Sequence, residues 1–205
     1  MARVVTRYGY PPLWARRPGF ASLLRIILEQ QVSLASAQAI YHRLATAVEQ
    51  VSPADILALG TIGLQRLGLT RQKASYACGL AEQILGGHLV LDRLGRYDDD
   101  EACERLMRVR GVGAWTASIY LLMALRRPDI WPPGDLALHK ALGRLEGSAW
   151  VPSVAEAEQL ATRWRPLRAV AARILWHGYL AERGISGARV SIRRGLVRRC
   201  VISEE

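Results

Sequence analysis

Hydrophobic residues recur along almost the whole chain at the three- and four-residue spacing of an amphipathic α-helix. Ser33, for example, is a typical helix N-cap, and the residues after it place one apolar face on a helix that runs to about Glu49. No stretch before Ser186 alternates apolar and polar residues as a half-buried strand does. The pattern predicts an all-α fold with short connections.

Glycine, proline and acidic residues mark the ends of the predicted helices. Ser52-Pro53 is a cap followed by proline at the first helical position, and Gly60 can end that helix. The acidic run at 98–101 suits the positive N-terminus of another helix. The predicted helices cover residues 20–29, 34–49, 53–60, 71–85, 98–110, 136–145, 154–164 and 167–183. A further short helix is predicted between residues 60 and 71, and another begins near residue 114.

The net charge of the chain indicates what kind of partner it binds. The formal net charge is +10, which indicates a polyanionic partner. Among the 28 basic residues only Lys73 and Lys140 are lysines, and arginine binds phosphate oxygens through its planar fork. A codon bias would explain the choice of arginine over lysine, but not the excess of positive charge. In residues 185–205, five arginines interleaved with Val and Ile form either a DNA-binding tail, a hairpin packed on the protein or a solvated tail.

Cysteine usage and hydropathy exclude several classes of protein. Cys78, Cys103 and Cys200 are too scattered for a disulfide framework, a zinc site or an iron–sulfur cluster. The sequence shows neither a signal peptide nor a run of about 20 apolar residues that would span a membrane. We expect a cytoplasmic protein, associated with the nucleoid through DNA binding.

The Gly111-Val112-Gly113 sequence lies between two predicted helices. Glycines let the backbone turn sharply there, and the next helix offers free N–H groups, from Ala114 to Thr116, to an anion such as a phosphate. A bare Gly-x-Gly is more often a helix–helix turn that serves packing alone, so its neighbours decide the interpretation.

Four segments in order resemble the helix-hairpin-helix Gly/Pro-Asp (HhH-GPD) superfamily of DNA glycosylases. The segment at 110–117 resembles the hairpin, and the Gly/Pro-rich loop with Asp135 follows one helix later. Residues 27–33 resemble the segment that fills the gap left by an extruded base, and 164–168 with Trp176 resemble the closing helix. The resemblance spans about Pro18 to Gly184, and the interval from Trp115 to Asp135 matches the bacterial 3-methyladenine DNA glycosylase II subgroup most closely.

The resemblance implies a two-lobed helical fold with the active-site cleft between the lobes. Residues 1–32 and 135–184 would form one lobe. Residues 33–134 would form the other, with the helix-hairpin-helix at about 98–126, and 185–205 would be the basic tail. The subgroup often carries an N-terminal β-rich domain that this chain is too short to contain.

Asp135 is the predicted catalytic residue. Cleavage of an N-glycosidic bond builds positive charge on the deoxyribose, and a carboxylate beneath the sugar stabilises that charge and orients or activates water. Aspartate is also a favoured N-cap for the helix that begins at Leu136. The family pattern favours catalysis, and both roles are compatible.

Trp115 decides the reaction subtype. Related glycosylase/lyases carry at this position a lysine that attacks the sugar, and tryptophan has no nucleophilic amine. The resemblance therefore implies a monofunctional enzyme that releases the base, leaves an abasic site and does not cut the strand.

The substrate pocket is predicted from aromatic residues. Trp115, Trp176 and Trp131 are the candidates for stacking on an extruded base, whereas Tyr120 is more typical of core. Alkylation at purine N3 or N7 makes the base cationic, and aromatic rings attract cations by about 0.5–2 kcal/mol. Ile119 replaces an aromatic that would have helped to stack the base, which leaves the substrate range open.

Other predicted roles also depend on the resemblance. Gln31, with Gln30 beside it, would plug the gap left by the base, although the subgroup tends to use an apolar residue and a polar helix end is the alternative. The DNA-binding residues would be Gln30, Gln31, Gly111, Gly113, Ala114 and Thr116. The backbone carbonyls of Met107, Val109 and Val112 would hold a monovalent cation, K⁺ or Na⁺, and no other cofactor is expected.

The sequence thus predicts a monomeric, monofunctional DNA glycosylase of base excision repair that acts on damaged bases, above all alkylated purines, in double-stranded DNA. One alternative is a glycosylase for hypoxanthine, ethenoadenine, uracil or an oxidised purine. The other is a non-catalytic DNA-binding module built on the same hairpin. A dead enzyme would most simply lack the aspartate, which is present.

Overall fold

The fold is built from helices alone in the part of the chain that the computed structural model describes, residues 1–147 and 150–184. The α-helices are α1 Ala2–Tyr8, α2 Phe20–Glu29, α3 Leu34–Ala47, α4 Pro53–Arg66, α5 Arg71–Leu85, α6 Asp99–Met107, α7 Ala114–Met123, α8 Leu136–Leu145, α9 Val154–Ala161 and α10 Arg168–Glu182. Short 3₁₀ segments cover Leu91–Arg96 and Thr162–Trp164. The all-α prediction is confirmed, and the predictions for 185–205 lie outside the described residues.

Polar caps fix most helix starts where the sequence predicted them. Ser33 accepts a hydrogen bond from the Ser36 N–H, and Ser52 caps α4 in the same way. Gly60 adopts φ 60° and breaks α4 into two parts, as a stop followed by a short helix requires. Two elements were not predicted, namely α1 and the 3₁₀ segment Leu91–Arg96.

The core centres on α7. Every residue of this helix from Thr116 to Leu122 is buried, so it lacks the polar face of a surface helix. It packs against α6 on one side and α2 on the other. The α2 helix is itself buried along most of its length, and this pair holds the hairpin and the turn after α2 close together.

Helix packing separates two groups. The α2 helix packs against α3, α5 and α7, and α4 packs on α5. The α10 helix packs against α1 and α8, and Val4 of α1 lies where a side chain at Gly178 would stand. The N-terminal residues are therefore shared: α1 joins the C-terminal helices, whereas α2 contacts the central ones. The assignment of 1–32 to a single lobe stays a prediction.

The N-terminal connector, residues 9–19, is held by buried polar groups. Arg173 of α10 donates to the carbonyls of Leu13 and Leu122, at 3.0 and 2.8 Å, and burial lowers the pKa of its guanidinium. The Gly19 N–H donates to the Tyr120 hydroxyl at 2.8 Å. The Arg16–Glu29 ion pair, also at 2.8 Å, adds a further anchor. These bonds fix a stretch without regular structure against α7 and α10.

The described helices include none that combines the length and the apolar character needed to cross a bilayer.

Candidate active site

Asp135 lies at the N-terminus of α8, and its carboxylate accepts hydrogen bonds from three sides. Oδ1 accepts from the Leu138 N–H at 2.9 Å, which is the N-cap bond. Oδ1 also accepts from the indole N–H of Trp176 at 3.1 Å, and Oδ2 accepts from that of Trp115 at 2.9 Å. The Asp135 carboxylate therefore caps α8 and is also the candidate catalytic group. The sequence pattern is compatible with both of these roles.

Both indoles orient the carboxylate without neutralising it. A carboxylate offers about four lone-pair sites, so these three bonds leave one direction on Oδ2 for a water molecule. No arginine or lysine forms an ion pair with Asp135 among the residues that the structure describes. Its negative charge is therefore free to stabilise positive charge on a bound group.

Trp115 and Trp176 come from different helices and meet at Asp135. Trp115 is the second residue of α7 and is half-buried, whereas Trp176 lies on α10 and is almost fully buried. Stacking of both rings on a base stays a prediction; the structure shows that their N–H groups hold Asp135. The sequence carries no signal for the direction of an indole N–H.

Trp131 and Tyr120 form no hydrogen bond with Asp135 among the described contacts, and the place of Trp131 in the pocket stays a prediction. The Trp131 ring packs against Trp164 with centroids 6.0 Å apart. Tyr120 is fully buried, as its assignment to the core predicted, and burial raises the pKa of its hydroxyl. Ile119 is buried as well.

The hairpin between α6 and α7 uses its two glycines differently. Gly111 has φ 91°, and a Cβ there would stand 2.4 Å from the ring of Tyr76, so this position requires glycine. Gly113 caps α7 in an extended conformation that any residue adopts, and a Cβ there would meet nothing within 4 Å. The surface in front of the first N–H groups of α7 is therefore open to an anion.

Gln30 and Gln31 differ in burial and in their contacts with the protein. Gln30 is half-buried, and its amide donates to the Gly111 carbonyl at 2.9 Å and to the Thr116 hydroxyl at 2.7 Å. The Gln30 side chain and the buried Thr116 side chain thus brace the hairpin instead of projecting from it. Gln31 is exposed and has φ 56°, a left-handed conformation that is uncommon outside glycine. Its placement suits a side chain that projects into a partner.

Two residues beside the site were not predicted. Trp14, in the connector, has φ 46° and meets the Trp176 ring edge-on, with centroids 6.4 Å apart. Lys73 is buried beneath the turn at Gln30. Neither belongs to a recognisable motif, and both positions depend on how distant segments approach each other.

Side-chain metal sites are absent from the described residues, which contain no cluster of His, Cys, Asp and Glu able to hold an ion. The predicted cation ligands are backbone carbonyls of the hairpin. Val109 accepts the Val112 N–H at 3.0 Å, and its carbonyl retains a second lone pair. The turn is therefore chemically suited to a hard monovalent ion.

Comparisons with known proteins agree with this architecture. Two curated relatives are similar over 86% of this chain: a putative DNA-3-methyladenine glycosylase, YfjP, of Bacillus subtilis, 26% identical, and DNA-3-methyladenine glycosylase 1 of Schizosaccharomyces pombe, 23% identical. The aligned regions cover 64% of the first protein and 79% of the second. The chain thus spans a little under two thirds of the bacterial relative.

A solved structure and a family model extend the comparison. The fold matches that of the Schizosaccharomyces pombe 3-methyladenine DNA glycosylase in complex with abasic DNA, with a TM-score of 0.80 at 24% identity, over 85% of this chain and 88% of that one. The model of the HhH-GPD superfamily of base excision DNA repair proteins matches residues 24–166, which include the hairpin, Asp135 and the turn at Gln31. The chain therefore belongs to the HhH-GPD superfamily of base excision DNA repair proteins.

Proposed function

We propose that this protein is a monofunctional DNA glycosylase that hydrolyses the N-glycosidic bond of a damaged base extruded from double-stranded DNA. The observation that carries the proposal is the Asp135 carboxylate, which is held by two indole N–H groups and a backbone N–H and forms no ion pair with any described residue. Family membership and the names of the relatives support the same chemistry. We further expect it to act as a monomer in the cytoplasm.

The site accounts for the chemical step in electrostatic terms. As the bond to the base breaks, positive charge develops on the deoxyribose, and the fixed carboxylate of Asp135 stabilises it. The remaining acceptor direction on Oδ2 orients the water that attacks the sugar. Because the indoles hold the carboxylate in place before substrate binds, little reorganisation is needed during the reaction.

Alkylated purines are the substrates that the site suits best. A purine alkylated at N3 or N7 is cationic and leaves readily, so the reaction needs little help from a general acid. Trp115 and Trp176 present electron-rich rings beside Asp135, and such rings attract cations. The names of the relatives support this class of lesion.

A panel of duplexes, each with a single lesion, tests the function. The lesions are 3-methyladenine, 7-methylguanine, hypoxanthine, ethenoadenine, uracil and 8-oxoguanine, and the readout is the formation of abasic sites. We expect the fastest release from the two methylated purines. Binding without release of any base would favour the non-catalytic DNA-binding module. Release of a neutral lesion alone would show that neutral damaged bases, and not alkylated purines, are the substrates.

The reaction should stop at the abasic site. Trp115 occupies the position at which related lyases carry a nucleophilic lysine. The Lys73 ammonium is buried and bonded to two carbonyls. We expect borohydride to trap no covalent protein–DNA adduct, as gel electrophoresis under denaturing conditions would show. An adduct formed as fast as the base is released would contradict the hydrolytic mechanism.

In this proposal, the hairpin is the surface that binds the sugar–phosphate backbone of the DNA. The first N–H groups of α7 face a DNA phosphate. The carbonyls of Met107, Val109 and Val112 would hold K⁺ or Na⁺, which would add positive charge close to that phosphate.

The two hairpin glycines should differ on substitution. Gly111→Ala should lower the free energy of unfolding by about 2 kcal/mol or more, because its φ is left-handed and its Cβ meets Tyr76. Gly113→Ala should cost less stability, about 1 kcal/mol or below for alanine at an N-cap, yet weaken binding, since its Cβ occupies the open surface before α7. Thermal unfolding and fluorescence anisotropy with a labelled duplex measure the two effects. If the Gly113→Ala variant binds DNA as tightly as the wild type, the hairpin is not part of the DNA interface.

A further inference from the structure

Lys73 is a buried cation that the proposed chemistry does not use. It lies on the first turn of α5 with 9% of its surface exposed. Its ammonium donates to the carbonyls of Leu28 and Gln30, at 2.7 and 2.8 Å. No carboxylate pairs with it within the described part of the chain. Burial lowers the pKa of the group, so the fold keeps a charge here at a cost.

The two carbonyls belong to the C-terminal end of α2, where the chain leaves the helix. A positive charge is favourable at this end because the last carbonyls point out of the helix unpaired. Gln30 then turns to an extended conformation, with ψ 130°, and Gln31 adopts the left-handed one. Lys73 therefore holds the backbone at the point where it enters its strained turn.

Gln30 forms hydrogen bonds with two different parts of the fold. Its carbonyl accepts from Lys73 of α5, while its side chain donates to Gly111 and Thr116 in the hairpin and α7. The α5 helix also touches the hairpin directly, because the Tyr76 ring lies over Gly111. The turn that presents Gln31 is thus fixed relative to the hairpin by these four contacts.

The choice of lysine is itself informative. All the other basic residues of the chain except Lys140 are arginines, yet this enclosed position holds an ammonium. An ammonium is compact and directs three donors at carbonyls from a single nitrogen, whereas a guanidinium is planar and wide. Both carbonyls bond to the same nitrogen, Nζ, at 2.7 and 2.8 Å, and this convergence suits a compact ammonium.

We propose that Lys73 is a positioning residue that holds Gln31 ready to fill the space vacated by the extruded base. The inference rests on the proposed glycosylase function. Gln31 is the residue that enters the duplex, and Lys73 acts through it by fixing the backbone of the turn. Loss of Lys73 should then impair the extrusion of a paired base more than the cleavage of its bond.

Two duplexes separate these steps. In one, 7-methylguanine is paired with cytosine; in the other it faces a tetrahydrofuran abasic analogue, so that extrusion breaks no base pair. Base release under single-turnover conditions should fall about tenfold or more in Lys73→Met on the paired lesion, and much less on the unpaired one. Lys73→Arg should share the defect, and Lys73→Gln, which keeps an uncharged NH₂ donor group, should be intermediate. Lys140→Met removes the other lysine and should leave the ratio between the two substrates unchanged.

A double-mutant cycle tests whether Lys73 affects base release through Gln31. If Lys73 acts through Gln31, then Lys73→Met should add little to the defect of Gln31→Ala on the paired lesion. Equal losses on both duplexes, or full additivity with Gln31→Ala, would overturn the inference and leave a purely structural lysine. If Lys73→Met does not fold, Lys73→Gln carries the same comparison. A wild-type protein that releases no base from either duplex would instead refute the proposed function.

Discussion

Asp135→Asn should lower the rate of base release about a thousandfold or more, while the protein still folds and binds duplex DNA. Asparagine is as good an N-cap as aspartate, so the bond to Leu138 survives. The amide nitrogen, however, cannot accept a hydrogen bond, and one of the two indole N–H groups then faces a donor. We expect about 1 kcal/mol of lost stability from that mismatch, and the catalytic loss comes from the missing charge.

The chain offers a matched control for this variant. Asp98 caps α6 by accepting the Glu101 N–H at 2.8 Å, just as Asp135 caps α8. Asp98→Asn should leave base release unchanged, because this carboxylate has no role in the proposed chemistry. Single-turnover kinetics on alkylated duplex DNA, with thermal unfolding of both variants, gives the comparison. Substantial activity in Asp135→Asn would mean that the carboxylate is a cap and nothing more.

Loss of either indole N–H group should also slow base release, although less than loss of the carboxylate. Trp115→Phe and Trp176→Phe each keep an aromatic ring but remove one donor to Asp135. A hydrogen bond to a charged group contributes about 1.5–3 kcal/mol, so each variant should lose about 10- to 100-fold in the rate of the chemical step. The loss follows because a carboxylate with one donor fewer is less well oriented beneath the sugar.

The control here is another tryptophan. Trp164 packs on Trp131 and donates no hydrogen bond to Asp135, so Trp164→Phe should retain the wild-type rate. The measurement is the single-turnover rate at saturating enzyme, which separates the chemical step from DNA binding. If Trp115→Phe and Trp176→Phe both react at the wild-type rate, the rings act by stacking alone and the hydrogen bonds are incidental to catalysis.

Local signals explain why the helices could be predicted. Apolar periodicity and caps such as Ser33 and Ser52 act within a few residues of sequence, and the structure reproduces them. The α1 helix was missed because it is short and bears no buried residue. It is held instead by contact between Val4 and Gly178 of a helix far along the chain. No local pattern reports such a contact.

The sequence named the candidate site residues but not their geometry. The resemblance singled out Asp135 and Trp115 through the hairpin and the following loop, and Trp176 through the closing helix. It could not reveal that both indoles donate to the same carboxylate, since this depends on the approach of α7 and α10. The inward direction of Gln30 was hidden for the same reason, as its partners lie more than 80 residues away.

The arrangement around Asp135 also sets an order of assembly during synthesis. Trp115 lies 20 residues before Asp135, whereas Trp176 lies 41 residues after it, and the connector is locked by Arg173 across 160 residues of sequence. Contacts of such separation form late because the intervening chain must first be ordered. During synthesis, the Asp135 carboxylate and the connector therefore lack these partners until α10 has emerged from the ribosome. The candidate site is completed only near the end of synthesis.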